Sequence, residues 1–482
     1  MGSMFSATVF VISNDFKDSQ GLKIKQLKKD TRYRRFSHGH QLSQEGRKLA
    51  GEEPYLIQNG WWTRELVITH PDHLREFYRK DAKDHKKPIN MNLGDYFGRL
   101  LGQCLGLQGG QQWAVMRAHF EPEFSHLASV NMADIFAMEI ERWALGLSKG
   151  RDLHQQEATL GSFHRNPTDA CRYLPFRLTG LTVYGDALDA ETYQDLVHLN
   201  DLHEQVMLDA FFGRLTVSKI FNILPTQSRR RLDTFKATWE KLNLDIIAKA
   251  RTKKLHCPAE RIYKGVESGK MSKFEFLETM NELLFTNIDV TSTVIACLLI
   301  NIAANQSFQS SLREEITAKQ SQPSYNLSDY VLEKDTLLHY AAMESVRMSP
   351  ALWFSLPEKT AAEKIIGGYR IPAQTPAVID WKRLNTTPAI WGSDGERFRP
   401  ERFADVSPMA YRYGLLRFGI GRGRCLGKNI ADMMLKMVTV AIVQRYFMTP
   451  AGKEKGTRQD RFTVTSEGEI EFTPIRSPTA CA

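Results

Sequence analysis

The sequence predicts a mainly α-helical protein with one small lobe rich in β-strand. Composition is the first reason: 42% of the 482 residues are hydrophobic and 25% are charged, as in a chain that folds around an ample core. The second is a long helical pattern from Phe274 to Ala304 without proline or glycine. The third is that strand patterns are confined to Tyr55–Thr69 and Ile365–Trp381, while most of the rest reads helical.

YLIQNGWWTRELVIT, residues 55–69, holds two apolar runs around Asn59-Gly60, a strong hairpin signal. IIGGYRIPAQTPAVIDW, residues 365–381, carries the glycine and proline punctuation of short strands. The run from Phe274 to Ala304 is on the order of 45 Å long at 1.5 Å per residue. Glu278, Asn281, Glu282, Asn287 and Asp289 interrupt its apolar character, so it reads as a buried helix crossing a domain rather than a lipid-spanning one. No solenoid repeat, low-complexity tract or linker divides the chain. The expected organisation is an N-terminal segment, 1–50, followed by one domain, 51–482.

Met1-Gly2-Ser3 ahead of Met4 reads as a cloning remnant. The first apolar run, Phe5–Ile12, is too short for a membrane helix, which needs roughly 20 residues. The chain as written thus shows no anchor, and the sequence leaves room for one removed from the natural protein. Net charge is +9, with the densest basic cluster at Lys23, Lys25, Lys28, Lys29, Arg32, Arg34 and Arg35. A solvated face, lipid headgroups or an acidic protein partner each fit that cluster. Nucleic acid does not, because no binding motif accompanies the charge. The six cysteines, Cys104, Cys171, Cys257, Cys297, Cys425 and Cys481, form no CxxC pair, which suggests a reducing compartment without a disulfide framework.

The chemistry concentrates in RFGIGRGRCLGKNIAD, Arg417–Asp432. A metal-binding thiolate wants backbone N–H donors, positive charge and a helix N-terminus, and Cys425 has all three in prospect. Gly419, Gly421 and Gly423 permit a tight turn, Gly427 permits close approach to something flat, and Phe418 is placed to shield the sulfur. With no second cysteine or nearby histidine to complete a zinc or iron–sulfur site, a single axial thiolate to a haem iron is the natural candidate. The plain alternative is a buried structural cysteine on a glycine-rich turn.

Here the chain resembles the cytochrome P450 superfamily, whose cysteine loop reads FxxGxRxCxG: Phe418, Gly421, Cys425 and Gly427 fall in register. The resemblance implies the P450 fold with its long helix over haem b. It departs at Gly423, where the family has an arginine that pairs with a haem propionate; Arg422 or Arg424 is expected to take that role. ESVR, Glu344–Arg347, matches ExxR, whose spacing puts both charges on one helix face. FRPERF, Phe398–Phe403, adds Arg402 to an implied Glu-Arg-Arg network bracing the cysteine loop. WAVMR, Trp113–Arg117, matches the helix that holds a propionate. Each motif alone is an ordinary salt bridge or core tryptophan; four in order over most of the chain are not.

In the family the long helix carries an acid and an alcohol that relay protons for oxygen activation. TNIDVTS, Thr286–Ser292, keeps Asp289 at the acid position, but Val290 stands where the threonine is expected, Thr291 follows, and Asn287 replaces a glycine. Valine has no hydroxyl to pass a proton, and Thr291 is turned about 100° away. Two outcomes follow: hydroxylation served by Asp289 and water, or ring closure, desaturation or coupling by hydrogen abstraction.

The resemblance also implies a pocket lined by the loop before Trp113, by Phe285 to Thr291, and by an aromatic wall of Trp353 and Phe354, with residues 171–223 as a mobile lid. LLFTNIDVTS, WFSLPEKT and FGIGRGRCLGKNIAD resemble fungal secondary-metabolite members acting on cyclodipeptides (diketopiperazines). No flavin or NADPH module is visible, so an NADPH–cytochrome reductase at the endoplasmic reticulum membrane is the implied electron donor, docking on Arg422, Arg424, Lys428 and Lys436. The competing readings are a haem-thiolate isomerase, dehydratase or peroxygenase that needs no reductase, and a non-catalytic haem-binding protein.

Overall fold

The computed structural model describes residues 16–60, 63–149, 161–213, 216, 218–452, 457–458, 463, 465–466 and 468–475. The Phe5–Ile12 run, the first methionines and Cys481 lie outside the described residues, as does the side chain of Arg422.

Both strand stretches form strands. A five-stranded sheet joins β1 (Gln26–Asp30), β2 (Tyr55–Asn59), β3 (Thr63–Ile68), β8 (Pro376–Ile379) and β5 (Glu358–Lys359) in that order. Asn59 still pairs with Thr63, so the hairpin turns one residue later than the Asn-Gly pair predicts. Alternate residues feed two cores, as the period of two along a strand requires. Tyr55, Ile57, Val67 and Val378 pack with Leu42 and Ala50 of α1 (Gly39–Ala50), while Leu56, Leu66, Ile68 and Ile379 pack with Leu74 and Phe77.

Two expectations change in this lobe. Phe16 and Ile24 are core residues, and Arg35 forms a 2.6 Å ion pair with Glu65, both side chains being inside. Residues 16–50 therefore pack onto the lobe, and position 50 marks no structural boundary. The basic cluster is not one solvated face either: Arg35 is buried and Arg34 pairs with Glu45, leaving Lys23, Lys28 and Lys29 exposed.

Smaller sheets complete the β-structure. β4 (Phe163–Arg165), β12 (Glu469–Pro474) and β9 (Tyr446–Ala451) form one, and β6 (Lys364–Ile366) with β7 (Tyr369–Ile371) and β10 (Thr457–Arg458) with β11 (Thr465–Ser466) form two ribbons.

The helices that build the site are α2 (Gly110–Phe120), α3 (Tyr173–Tyr184), α4 (Ala190–Phe212), α5 (Gln227–Lys253), α6 (Lys273–Leu284), α7 (Asn287–Ala304), α8 (Leu337–Met348) and α9 (Lys428–Arg445). α7 runs through the middle, against α3, α8 and α9, which explains its apolar composition. The segment expected to be a mobile lid is formed largely by α3 and α4, whose Leu174, Phe176, Val206 and Met207 are buried in the main core.

The long helix of the sequence runs Lys273–Ala304 with a local irregularity at Phe285-Thr286, where the backbone stays right-handed helical and the regular ladder lapses between α6 and α7. Side chains replace the missing ladder bonds there: Thr286 Oγ1 donates to the Glu282 carbonyl at 2.5 Å, and Asn287 Nδ2 to the carbonyls of Glu282 and Leu283 at 2.9 and 3.2 Å. Such local side-chain bonds compete with the helix. The polar residues of α6 have a second task. Amides of Gln103, Leu105 and Gly106 donate to Glu278, Thr279 and Glu282 at 2.6, 3.0 and 3.0 Å, clamping the loop that leads to α2.

Candidate active site

Cys425 sits on a loop that the chain forms by two left-handed glycines, Gly419 at φ 75° and Gly421 at φ 66°. Its amide donates to the Phe418 carbonyl at 2.8 Å, closing the turn just before α9 starts at Lys428. The thiol is deeply enclosed, yet its residue keeps accessible surface, so it faces an internal space. Burial pushes the thiol pKa up, an effect the Gly427 N–H and Arg117 only oppose and Glu282 reinforces. Coordination to a metal would be what deprotonates it.

Trp113 and Arg117 lie one turn apart on α2, the guanidinium carbon 5.9 Å from the indole centroid. Arg117 Nη1 donates to the Arg424 carbonyl at 3.1 Å, tying α2 directly to the cysteine loop, and Nη2 pairs with Glu121 at 3.0 Å. Arg424, an exposed residue of the loop, helps lower the pKa of Lys428, after burial and Arg417.

Glu344, Arg347 and Arg402 come together fully buried. Arg347 Nε and Nη2 reach the Glu344 carboxylate at 2.7 and 2.8 Å, and Arg402 Nε reaches it at 3.0 Å. The two arginines also donate to the carbonyls of Asn385, Asp394 and Arg397, so one carboxylate organises residues 385–402. The link onward to the cysteine loop is a residue not singled out in the sequence. Asn385 exchanges two hydrogen bonds with the backbone of Leu416, at 2.8 and 3.2 Å, immediately before Arg417 and Phe418. Arg417 is in turn held to α9 by Asp432 at 2.5 Å.

Across the internal space, Glu282, Thr286, Val290, Val294 and Cys297 form a stripe of half-buried residues at helical spacing through α6 and α7. Glu282 is near enough to act electrostatically on Cys425, so the stripe and the thiol share that space. Val290 is on the stripe and Thr291 one residue off it. Asp289 is ion-paired to Arg172 at 3.3 Å, and Arg172, at the start of α3, also pairs with Glu204 of α4. Beside this triad lies a cavity of about 20 Å³ lined by Arg172, Asn200, His203, Glu204, Thr286 and Asp289, room for about one water. Buried His203 stacks on Phe285 at 4.7 Å, and its pKa falls to about 3 by burial. Arg172 and Glu204 carried no motif, and the sequence reading missed them.

Two expected aromatic contributors are elsewhere. Phe354 is in the core of the sheet lobe and Trp353 stacks on His40 at 5.0 Å, so neither supplies the aromatic wall. Phe285 packs in an aromatic cluster with Phe176, Phe235 and Trp239 and also lines the small cavity beside Asp289. Lys436 is buried against Asp432 at 3.0 Å and donates to the Val331 carbonyl, so it is no part of a docking surface.

The residues present fit a haem. Among the described residues no cluster of three or more His, Cys, Asp or Glu forms a metal site of its own, a Cβ at Gly427 would meet nothing within 4 Å, and the enclosed thiol faces open space beneath the α7 stripe. The profile of the family described as Cytochrome P450 matches residues 37–472. The chain belongs to the cytochrome P450 family.

Curated relatives agree. The P450 is 44% identical to the cytochrome P450 monooxygenase lepD of Aspergillus flavus over 97% of this chain and 92% of the relative. It is 38% identical to opdB of Penicillium oxalicum, over 95% of this chain and 91% of that one, and 38% identical to apdB of Emericella nidulans, over 90% and 87%. This P450 is an oxidoreductase that carries haem b on a cysteine thiolate and acts on small molecules.

Proposed function

We propose that this P450 is a monooxygenase of fungal secondary metabolism that oxidises a lipophilic or aromatic small molecule, with Cys425 as the thiolate ligand and an NADPH-dependent reductase as electron donor. The observation that carries the reading is the enclosed Cys425 thiol facing a helix whose Asp289 is held in place by Arg172. When bound, the haem supplies oxygen activation; the chain supplies position and protons. Arg117 and Trp113 fix α2 against the loop. Glu204, a third exposed and so reaching solvent, is placed to pass protons to Asp289 through the one-water cavity they share, while Arg172 holds both carboxylates in position.

Cyclodipeptides are the substrate class to test first, on the resemblance of three segments to fungal enzymes acting on them. A valine at 290 leaves both hydroxylation and ring closure or coupling open as outcomes. Product mass after turnover with NADPH and reductase separates them: a gain of one oxygen marks the first, a loss of two hydrogens or a dimer the second. Turnover with peroxide, or with substrate alone, and none with NADPH and reductase would replace this reading by a reductase-independent one. The exposed Lys23, Lys28 and Lys29 support a place at an anionic membrane such as the cytosolic face of the endoplasmic reticulum.

Asp289→Asn is expected to lower kcat about 10²-fold, the scale of a positioned proton donor. Val290→Thr, which restores a hydroxyl on the stripe, is expected to reduce the peroxide released per NADPH consumed. An Asp289→Asn enzyme with unchanged kcat and coupling would remove this carboxylate from the mechanism.

A further inference from the structure

Haem b carries two propionates, and in an enclosed site each carboxylate needs a cation or hydrogen-bond donors. Arg117 lies on one flank of the cysteine loop, touching the carbonyl of residue 424. On the other flank, Gly423 offers no side chain. What stands at Gly423 comes from a distant part of the chain: a Cβ built there would lie 3.7 Å from Lys87 Nζ and 4.0 Å from Glu358 Oε2.

These two belong to a buried cluster that no step of the mechanism uses. His85, only 1% exposed, bridges Asp81 at 3.1 Å and Glu358 at 2.8 Å, and Tyr78 approaches Glu358 at 3.4 Å. Tyr78 also borders Gly421, so the cluster rests directly on the loop. Lys87 is not the principal partner of Glu358. Its Nζ is 3.4 Å from the carboxylate, long for a charge-assisted bond, while His85 holds the other oxygen more closely. Of its three N–H donors, only that one has an acceptor among the described residues.

We propose that Lys87 is the second propionate-binding cation of this P450, standing in for a loop side chain that Gly423 lacks. Glu358, fixed by His85 and Tyr78, is its positioning residue. The site would take a carboxylate, as Arg117 would on its own flank of the loop.

The test is haem transfer from the ferric holoprotein to excess apomyoglobin, followed by absorbance, for wild type, Lys87→Met, Lys87→Arg and the double variant Lys87→Met with Gly423→Arg. Gly423 has no positive φ, and its nearest neighbours are at ordinary contact distance, so arginine is accommodated. Lys87→Met is expected to speed haem loss roughly 10- to 100-fold, the scale of one charge-assisted hydrogen bond. Lys87→Arg should stay close to wild type. The double variant should recover most of the loss, because its guanidinium grows from the loop into the place the ammonium left. Wild-type haem loss in Lys87→Met, or a double variant no better than the single one, overturns the proposal. If Lys87→Met takes up no haem at all, the two arginine variants decide: loading in both supports a charge role, and failure in both with unchanged far-ultraviolet dichroism overturns it.

Discussion

The Cys425→Ser protein is expected to lose the strongly red-shifted Soret band that the dithionite-reduced, carbon monoxide-bound wild type shows, and with it all reductase-driven turnover. The thiol is the only group the loop presents from residue 425, and its surroundings do not ionise it unaided: burial drives the thiol pKa up and Glu282 adds to that. A thiolate here must be maintained by the metal it binds, since a coordinating thiol is deprotonated outright. Serine preserves the size and the amide bond to the Phe418 carbonyl, so the loop itself should survive. A variant that keeps the red-shifted band would mean that another residue ligates the iron.

Glu344→Gln is expected to be the most destabilising conservative substitution in the chain. The carboxylate accepts from Arg347 at 2.7 and 2.8 Å, from Arg402 at 3.0 Å and from the Arg399 amide at 2.9 Å, with no exposed surface. Glutamine keeps the shape but leaves the buried Arg347 guanidinium without its counter-charge and Arg402 with only Asp394, at 3.3 Å. Removing one partner of a buried pair costs about 3–5 kcal/mol, a large part of a typical stability of about 5–15 kcal/mol. The thermal transition should fall and haem content with it, because residues 385–402 lose their anchor and Asn385 its grip on Leu416. A protein with wild-type melting and haem content would show that hydrogen bonding alone, without charge, organises this segment.

Some of this was legible because it rests on local rules. The irregularity in the long helix was written in TNIDVTS, whose short polar side chains satisfy carbonyls that the backbone then need not; the lack of proline and glycine concealed it. Phe354 looked like a pocket wall because an aromatic residue near a site motif carries no sign of which side it faces. Only the pairing of β3 with β8 turns it into the sheet core. Lys436 looked exposed for a similar reason: its partner Asp432 is one helical turn away, and what buries both is the packing around α9.

The sequence by itself determined the class of fold, the haem-thiolate chemistry implied by the cysteine loop, and the family, because these depend on residue types at short, fixed spacings. The tertiary structure decided which charges meet. Arg172 with Asp289 are 117 residues apart, Lys87 with Glu358 are 271 apart, and Asn385 with Leu416 are 31 apart. No spacing rule reaches across such separations. Burial removes water as the competing partner, so a charge enclosed in the core must find its counterpart wherever the fold brings one.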